Sequence, residues 1–369
     1  MIEIQTPVAD TPSLRAPSRT TFVLPGRNRS GGVRVTVEMA NRLERAGYPT
    51  RIAVRADSKP LVHRLLSRLD DAVGTLRGLT PDDWLDQYAG LVAEFHNLAD
   101  VQMDSDEVVI AVGSQSVPWV EALQAPRRRV RFCHGFHHFR TEQMQAAWGK
   151  PMPTLTVSRT LIPGLRKYGG TFPVWHVPNG ISPEEYHAVP EQRRSVGTIY
   201  SSNAAKSPED IREVVRQLRD RIEGVNIVAF GAERRPKGFE VDEYWRLPPI
   251  ELVRSLYSRS KVWLLMSKAE GLPGPVLEAM ACGSVVISSD NEGSLEVIRD
   301  GDNGCVFPTG DVKACTEIVR QLWGDPERLQ GLAAAGLRTA QAFTWEAALD
   351  KMRRSLDDLM RDDQRWAER

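Results

Sequence analysis

The chain has 369 residues, 41% of them hydrophobic and 26% charged, with a formal net charge of zero. This length exceeds what one hydrophobic core usually supports, so two domains of an ordinary soluble globular protein are expected. No apolar run approaches the roughly 20 residues that span a bilayer, and the four cysteines show neither CxxC nor regular spacing. These features argue against a membrane span, a signal peptide, disulfides and structural zinc, and they predict a cytoplasmic protein.

The charge is unevenly distributed between the two halves of the chain. Residues 1–180 carry 22 Lys and Arg against 17 Asp and Glu, whereas the remainder carries 26 against 31. A basic first half suits an anionic acceptor or a peripheral contact with a phospholipid surface at the inner face of the membrane. It is equally compatible with the sequence that a charge imbalance this small has no functional meaning.

Apolar strands alternate with amphipathic helices through the first half. Residues 1–19, with three prolines, are expected to form a flexible tail. A strand at 21–24 leads into a turn containing Gly31 and Gly32, and then into a helix at 33–45. The apolar face of this helix comprises Val33, Val37, Ala40 and Leu43. Further strands are predicted at 51–54, 108–112, 130–133, 154–157 and 174–177.

The second half repeats this organisation after a linker at 181–193. Its predicted strands are at 196–200, 225–230, 262–266 and 285–288. Its predicted helices are at 208–222, 250–258, 275–281, 311–323 and 326–341, with a last one beginning at 344. This alternation predicts two α/β domains, at 20–180 and 194–343, each with a parallel sheet covered on both faces. Ligands of such sheets bind at the carboxyl ends of the strands, which here would line a cleft between the domains.

Two glutamates eight positions apart, Glu270 and Glu278, mark the most informative segment. Glu270 stands in a Gly- and Pro-rich turn after an apolar strand, and Glu278 lies in a helix that opens near Pro275 and stops at Gly283. A strand, a Gly-rich turn and a helix N-terminus form an anion site, because free backbone N–H groups point at a phosphate. Two carboxylates beside it suit the hydroxyls of a sugar attached to that phosphate.

This segment resembles the signature of the retaining glycosyltransferases of family 4, which have the GT-B fold. The resemblance covers roughly residues 20–360 and also rests on segments 177–181, 285–290, 293–298, 300–304 and 308–311. It implies two Rossmann-like doubly wound domains facing each other across a cleft, with a C-terminal helix at 344–369 that crosses back to the first. It further implies transfer of a sugar from a nucleotide diphosphate donor to an acceptor hydroxyl with retention of configuration. No metal or other cofactor is implied, and the acceptor would be a saccharide, a lipid-linked molecule or a small molecule.

The resemblance assigns catalytic roles to three residues. Glu270 would bind the sugar hydroxyls, and His134 would contact the donor sugar near the reacting carbon. Lys206, at the mouth of the strand predicted at 196–200, would place a positive charge on the diphosphate leaving group.

Donor-binding roles follow from the same resemblance. The residues concerned are Gly31, Gly32, Ser201, Ser202, Leu272, Pro273, Gly274 and Glu278. Glu278 would accept hydrogen bonds from the ribose diol. The family usually has an arginine where this chain has Ser201, so either the hydroxyls of Ser201 and Ser202 or another group must handle the phosphate. The nucleobase is expected near residues 247–250.

Several alternatives stay open. A non-catalytic sugar-nucleotide-binding protein and a GT-B sugar-nucleotide epimerase both fit the motif. The chain does not fit a nicotinamide-dependent oxidoreductase. Its first turn lacks GxGxxG, and Arg55 ends its second strand where such an enzyme requires an acidic residue. The run His134, His137 and His138 has no further ligands at metal spacing.

Two basic segments raise further interpretations. The segment 59–69 is amphipathic and basic, which suits either an anionic membrane or an ordinary packed helix. The arginine run at 127–131 lacks interleaved aromatic residues, so a solvated face or an acceptor contact is preferred to nucleic acid.

Overall fold

The protein is described by a computed structural model covering residues 17–28, 30–56, 83–126, 128–135, 142–169 and 172–361. Within these residues the chain forms two β-sheets, one of seven strands and one of six. All strand pairings in both sheets are parallel. The predicted architecture of two doubly wound α/β lobes is therefore confirmed.

The first lobe is built on the seven-stranded sheet. Its strands are β1 (Thr20–Leu24), β2 (Thr50–Arg55), β3 (Leu91–Phe95), β4 (Val108–Val112), β5 (Arg128–Cys133), β6 (Thr154–Thr156) and β7 (Val174–His176). The described helices are α1 (Gly31–Arg45), α2 (Val117–Glu121), α3 (Glu142–Trp148) and α4 (Ile162–Gly169). The order β3-β2-β1-β4-β5-β6-β7 reverses between β1 and β4, which opens a crevice at their carboxyl ends.

The second lobe is built on the six-stranded sheet. Its strands are β8 (Ser195–Ile199), β9 (Asn226–Gly231), β10 (Glu243–Arg246), β11 (Ser260–Leu265), β12 (Val285–Ser289) and β13 (Cys305–Phe307). Its helices are α5 (Pro208–Arg221), α6 (Ile250–Ser258), α7 (Gly274–Ala281), α8 (Glu292–Leu295), α9 (Val312–Trp323) and α10 (Pro326–Gln341). The order β10-β9-β8-β11-β12-β13 reverses between β8 and β11.

The chain passes between the lobes twice. Residues 177–194 lead from β7 to β8, and the last helix, α11 (Trp345–Arg361), returns to the first lobe. There the indole of Trp175 donates a hydrogen bond to Asp358 Oδ2 at 3.0 Å. Two covalent crossings of this kind restrict how far one lobe can move relative to the other.

Helix α1 follows from its sequence. The Ser30 side chain caps it by accepting a hydrogen bond from the Val33 N–H at 3.4 Å. The apolar positions predicted to share one face, which are Val33, Val37, Ala40 and Leu43, are all buried. The helix therefore packs on the sheet, and Gly31 and Gly32, predicted to lie in the turn before it, form its first two residues.

Three strands of the structure, β3, β10 and β13, were not predicted from the sequence. Strands β3 and β10 lie at sheet edges and are partly exposed, so their sequences lack a continuous apolar run. Strand β13 is also an edge strand and has only three residues. The hydrophobic pattern identifies central strands such as β1, β4 and β12, whose residues are all buried.

The arginine run is not a solvated face, which corrects the prediction. Residues 128–133 form β5, and Arg131 is fully buried. Its guanidinium donates to Thr154 Oγ1 at 2.6 Å and to the Trp148 carbonyl at 2.8 Å, and it stacks on the Phe172 ring at 4.4 Å. Burial lowers the pKa of Arg131 to about 10. Arg131 therefore acts within the core of the first lobe, where it joins β5 to β6 and to helix α3.

Some predictions lie outside the described residues. They concern most of the N-terminal tail, the basic segment 59–69, Arg127, His137 and His138. Among the helices that are described, none combines the length and the apolar character needed to cross a membrane.

Candidate functional site

Two loops converge where the strand order of the second sheet reverses. The loop after β8 carries Lys206, and the loop after β11 carries Glu270. Because carboxyl ends of neighbouring parallel strands meet at one edge of the sheet, the two side chains come together. Lys206 Nζ donates to Glu270 Oε1 in an ion pair. A backbone bond of 2.8 Å from the Lys268 N–H to the Ala205 carbonyl joins the same two loops.

The two members of this pair differ in exposure. The Glu270 side chain is 9% exposed and the Lys206 side chain 38%. The carboxylate is thus held in place, whereas the ammonium group borders the cleft. Lys206 can therefore exchange part of its contact with Glu270 for an anion that enters from solvent.

His134 closes the site from the first lobe. It follows β5, and a Cβ added to Gly271 would lie only 1.7 Å from the His134 carbonyl oxygen. A Cβ added to Gly32 would lie 3.5 Å from Cγ of the His134 ring. Glycine at position 271 is therefore required for this approach of the two backbones. The predicted residues Gly32, His134 and Glu270 thus lie around one point between the lobes.

The His134 imidazole is neutral at physiological pH. Burial lowers its pKa to about 3, because an imidazolium would lose its hydration there. The Phe132 ring lies beside it, with centroids 4.2 Å apart. The enclosed Nε2 atom has no hydrogen-bond partner among the described residues. A neutral ring with an unsatisfied nitrogen can hydrogen-bond a ligand hydroxyl, but it is a poor proton donor.

Helix α7 presents its N-terminus to the same cleft. It begins at Gly274, after Pro273 in extended conformation. The preceding Leu272 carbonyl accepts a 3.0 Å hydrogen bond from Asn179, which lies between the two lobes. This bond fixes the loop before the helix. Pro275 has no N–H and the Val276 N–H donates to the Pro273 carbonyl at 3.1 Å, so an anion would meet the Gly274 N–H and the positive end of the helix dipole.

Glu278, one turn into α7, is held by both lobes. Its Oε1 accepts from Arg34 Nη1 of helix α1 at 3.0 Å, and its Oε2 accepts from Tyr257 Oη at 2.9 Å. Burial and the nearby Glu278 raise the pKa of Tyr257, so the phenol stays protonated and donates. The Glu278 side chain is 13% exposed, which leaves room for further hydrogen bonds to its oxygens.

For the remaining donor-binding candidates, the contacts seen among the described residues are to residues other than Lys206, Glu270 and Glu278. Ser201 Oγ and the Ser202 N–H both donate to Glu233 Oε1, at 3.3 Å and 2.9 Å. Gly31 opens α1 with no atom within 4 Å of an added Cβ, counting only the described residues. Leu247, in the segment expected to meet the nucleobase, has a φ of 50°, and its N–H donates to the Gly231 carbonyl.

Three inter-lobe residues were not singled out from the sequence. Arg34 and Asn179 contact the second lobe as described above. Glu296, after α8, accepts hydrogen bonds from the Ser158 hydroxyl at 2.9 Å and the Arg159 N–H at 2.8 Å. Asn179 and Glu296 do lie within the segments that carried the family resemblance, whereas Arg34 had only its place two residues after Gly32 as a signal.

The described residues contain no group of three or more His, Cys, Asp or Glu side chains that could hold a metal ion. All four cysteines are buried and unbridged. Burial raises the pKa of Cys282 to about 12, which keeps this neighbour of Glu278 in its unreactive thiol form.

Comparison with protein families matches residues 187–338 to the family described as glycosyl transferases group 1. The D-inositol 3-phosphate glycosyltransferase 1 of Catenulispora acidiphila is 31% identical over 96 residues, 26% of this chain and 23% of that protein. The O-antigen chain mannosyltransferase B of Escherichia coli is 31% identical over 125 residues, 30% of this chain and 32% of that protein. The matched region thus spans at most about a third of these curated relatives.

Solved structures match over nearly the whole chain. Anabaena Alr3699/HepE in complex with UDP-glucose has a TM-score of 0.71 at 15% identity, covering 92% of this chain and 99% of that chain. Sucrose-phosphate synthase from Thermosynechococcus elongatus has a TM-score of 0.68 at 14% identity, covering 93% and 99%. Likeness at this identity concerns the fold, and these neighbours are GT-B glycosyltransferases. The chain therefore has the GT-B fold, and its residues 187–338 are similar to the glycosyl transferases group 1.

Proposed function

We propose that this protein is a glycosyltransferase that moves a sugar from a nucleotide diphosphate donor to an acceptor hydroxyl. The observation that carries the proposal is the ion pair of Lys206 and Glu270 at the point where Gly271 meets His134 of the opposite lobe. The pair places a cation and a carboxylate beside the N-terminus of α7, where a diphosphate and the hydroxyls of its sugar can be bound together.

Uridine diphosphate sugars are the first donors to test. The fold is shared with HepE, whose solved structures include complexes with UDP and with UDP-glucose. The carboxylate of Glu278 suits the ribose of any nucleoside diphosphate. The segment 247–250 is the proposed place of the base. The acceptor is proposed to be a saccharide, a lipid-linked molecule or a small molecule.

In the proposed reaction, the bond between the anomeric carbon and the β-phosphate oxygen breaks. The acceptor oxygen bonds to that carbon from the same face, so configuration is retained, and its proton passes to the departing phosphate. Lys206 and the N-terminus of α7 stabilise the charge that builds on the diphosphate, without a resident metal ion. Neutral His134 contacts the sugar by hydrogen bonding, and the closed lobes exclude water.

A thermal-shift screen against UDP-, GDP-, ADP- and dTDP-sugars tests donor binding. A correct donor at 100 times its dissociation constant is expected to stabilise the fold by about 2.7 kcal/mol. Transfer is then measured with that donor and an acceptor panel. Binding without transfer or hydrolysis would favour a non-catalytic binding protein, and conversion of the donor without any acceptor would favour an epimerase. No stabilisation by any donor contradicts the proposed function.

Glu278→Gln is expected to weaken nucleotide binding by roughly tenfold while changing turnover at saturating donor much less, because the ribose is bound equally in ground and transition states. Calorimetry with UDP and steady-state kinetics measure the two effects. Glu317→Gln is the matched control, since Glu317 forms an exposed ion pair with Arg320 on α9. Unchanged nucleotide affinity would remove Glu278 from the ribose site.

A further inference from the structure

Ser201 follows strand β8 at the position where the family resemblance leads one to expect an arginine, and it faces the carboxylate of Glu233, which follows strand β9. Glu233 accepts hydrogen bonds from both Ser201 and the Ser202 N–H. The nearby cation, Lys206, is already paired with Glu270. A nucleoside diphosphate brings several negative charges, whereas Ser201 and Lys206 both already face a carboxylate.

Arg34 brings a guanidinium group to the cleft from the first lobe. It lies in the first turn of α1, two residues after Gly32. Its Nη1 is 3.0 Å from Glu278 Oε1, and that oxygen is in turn 3.4 Å from the position of an added Cβ on Gly274, the first residue of α7. The guanidinium therefore stands beside the helix N-terminus at which an anion is expected.

The guanidinium of Arg34 is both oriented and charged. Nη1 donates to Tyr186 Oη and to Glu278 at 3.0 Å each, and Nη2 donates to Glu185 Oε2 at 3.0 Å. The guanidinium carbon, Cζ, lies over the rings of Trp84 and Tyr186, at 5.1 Å and 5.6 Å from their centroids. Burial alone would lower the pKa of Arg34, but Tyr186, Glu278 and Glu185 outweigh it and raise the pKa.

The guanidinium retains capacity for a ligand. An arginine has five N–H donors, and the contacts to the described residues use three of them. Its side chain is 25% exposed. An oxygen of a phosphate is the acceptor that best matches the remaining donors of a preoriented guanidinium.

We propose that Arg34 binds the diphosphate of the donor directly and supplies the guanidinium N–H donors that the position of Ser201 lacks. This inference rests on the proposed function, because it requires a nucleoside diphosphate in the cleft. The donor site is then shared between the lobes: Arg34 from α1 and Lys206 with α7 from the second lobe enclose one diphosphate. The donor itself would hold the lobes together.

The test compares UDP with uridine, which lacks the phosphates. Calorimetry on the full chain measures both affinities for wild type, Arg34→Met, Arg34→Lys and the control Arg216→Met. Arg216 is an exposed arginine on α5 with two carboxylate partners, so it matches the loss of charge away from the cleft. GDP, ADP and dTDP with their nucleosides replace this pair if wild type does not bind UDP.

Arg34→Met is expected to lose roughly tenfold or more in UDP affinity while uridine affinity stays within about twofold. Arg34→Lys keeps part of the UDP affinity, and Arg216→Met keeps all of it. If thermal melting shows that Arg34→Met does not fold, Arg34→Gln takes its place.

Other outcomes overturn the inference in distinguishable ways. Equal losses for UDP and uridine would show that Arg34 acts only by positioning Glu278. No loss for either ligand would leave the proposed function standing without Arg34. If wild type binds none of the four nucleoside diphosphates, the proposed function fails and this inference fails with it.

Discussion

Replacing Glu270 with glutamine is expected to lower the turnover number by roughly 100- to 1,000-fold. The carboxylate is nearly buried, is held in the loop after β11, and pairs with Lys206. Glutamine keeps the shape but loses the charge that orients the lysine and accepts hydrogen bonds from sugar hydroxyls. Lys206→Met is expected to act similarly, because it removes the cation that stabilises the departing diphosphate.

Both variants are expected to stay folded. Lys206 is more than a third exposed, so the pair contributes little to stability. Steady-state kinetics with the donor found by the thermal-shift screen measures the loss. Because the two residues are paired with each other, the double variant should lose less than the two single losses combined.

The exposed pair of Glu213 and Arg216 on α5 provides the control. Glu213→Gln should keep wild-type turnover. Near-wild-type turnover in Glu270→Gln or Lys206→Met would remove that residue from the catalytic site, and a melting temperature far below wild type would attribute the loss to folding instead.

Gly271→Ala is expected to have the second large effect. The added Cβ would lie 1.7 Å from the His134 carbonyl oxygen, and backbone atoms on both sides cannot move aside cheaply. The lobes must separate to relieve this contact, which displaces His134 from Glu270. A displacement of about 1 Å can cost on the order of 100-fold in rate.

Small-angle scattering and kinetics together test this expectation. Gly271→Ala should show a larger radius of gyration than wild type along with the lost activity. Gly331→Ala is the control, because Gly331 lies in α10 and, apart from the backbone of that helix, no atom of the described residues lies within 4 Å of an added Cβ; alanine also favours the helix. A wild-type radius and rate in Gly271→Ala would mean that catalysis does not require this contact between His134 and Gly271.

Much of the fold could be predicted from the sequence because central strands and amphipathic helices leave a periodic apolar pattern. Helices α6 and α10 begin and end where their patterns indicated. The edge strands β3 and β10 could not be found in this way. Each lacks a partner strand on one side and is partly exposed, so its sequence does not show a continuous apolar run. Arg131 was misjudged for a related reason: its burial depends on Trp148 and Phe172, which no local pattern connects to it.

For the candidate site, too, local features could be predicted and long-range contacts could not. The sequence by itself determined the local pieces: the turn with Glu270, the helix with Glu278, and the glycine pair at the start of α1. Only the tertiary structure decided that Arg34 contacts Glu278, 244 positions away, and that Ser201 faces Glu233. The physical reason is that backbone geometry and hydrophobic periodicity are local, whereas the pairing of charges across a cleft depends on how two separately packed lobes meet.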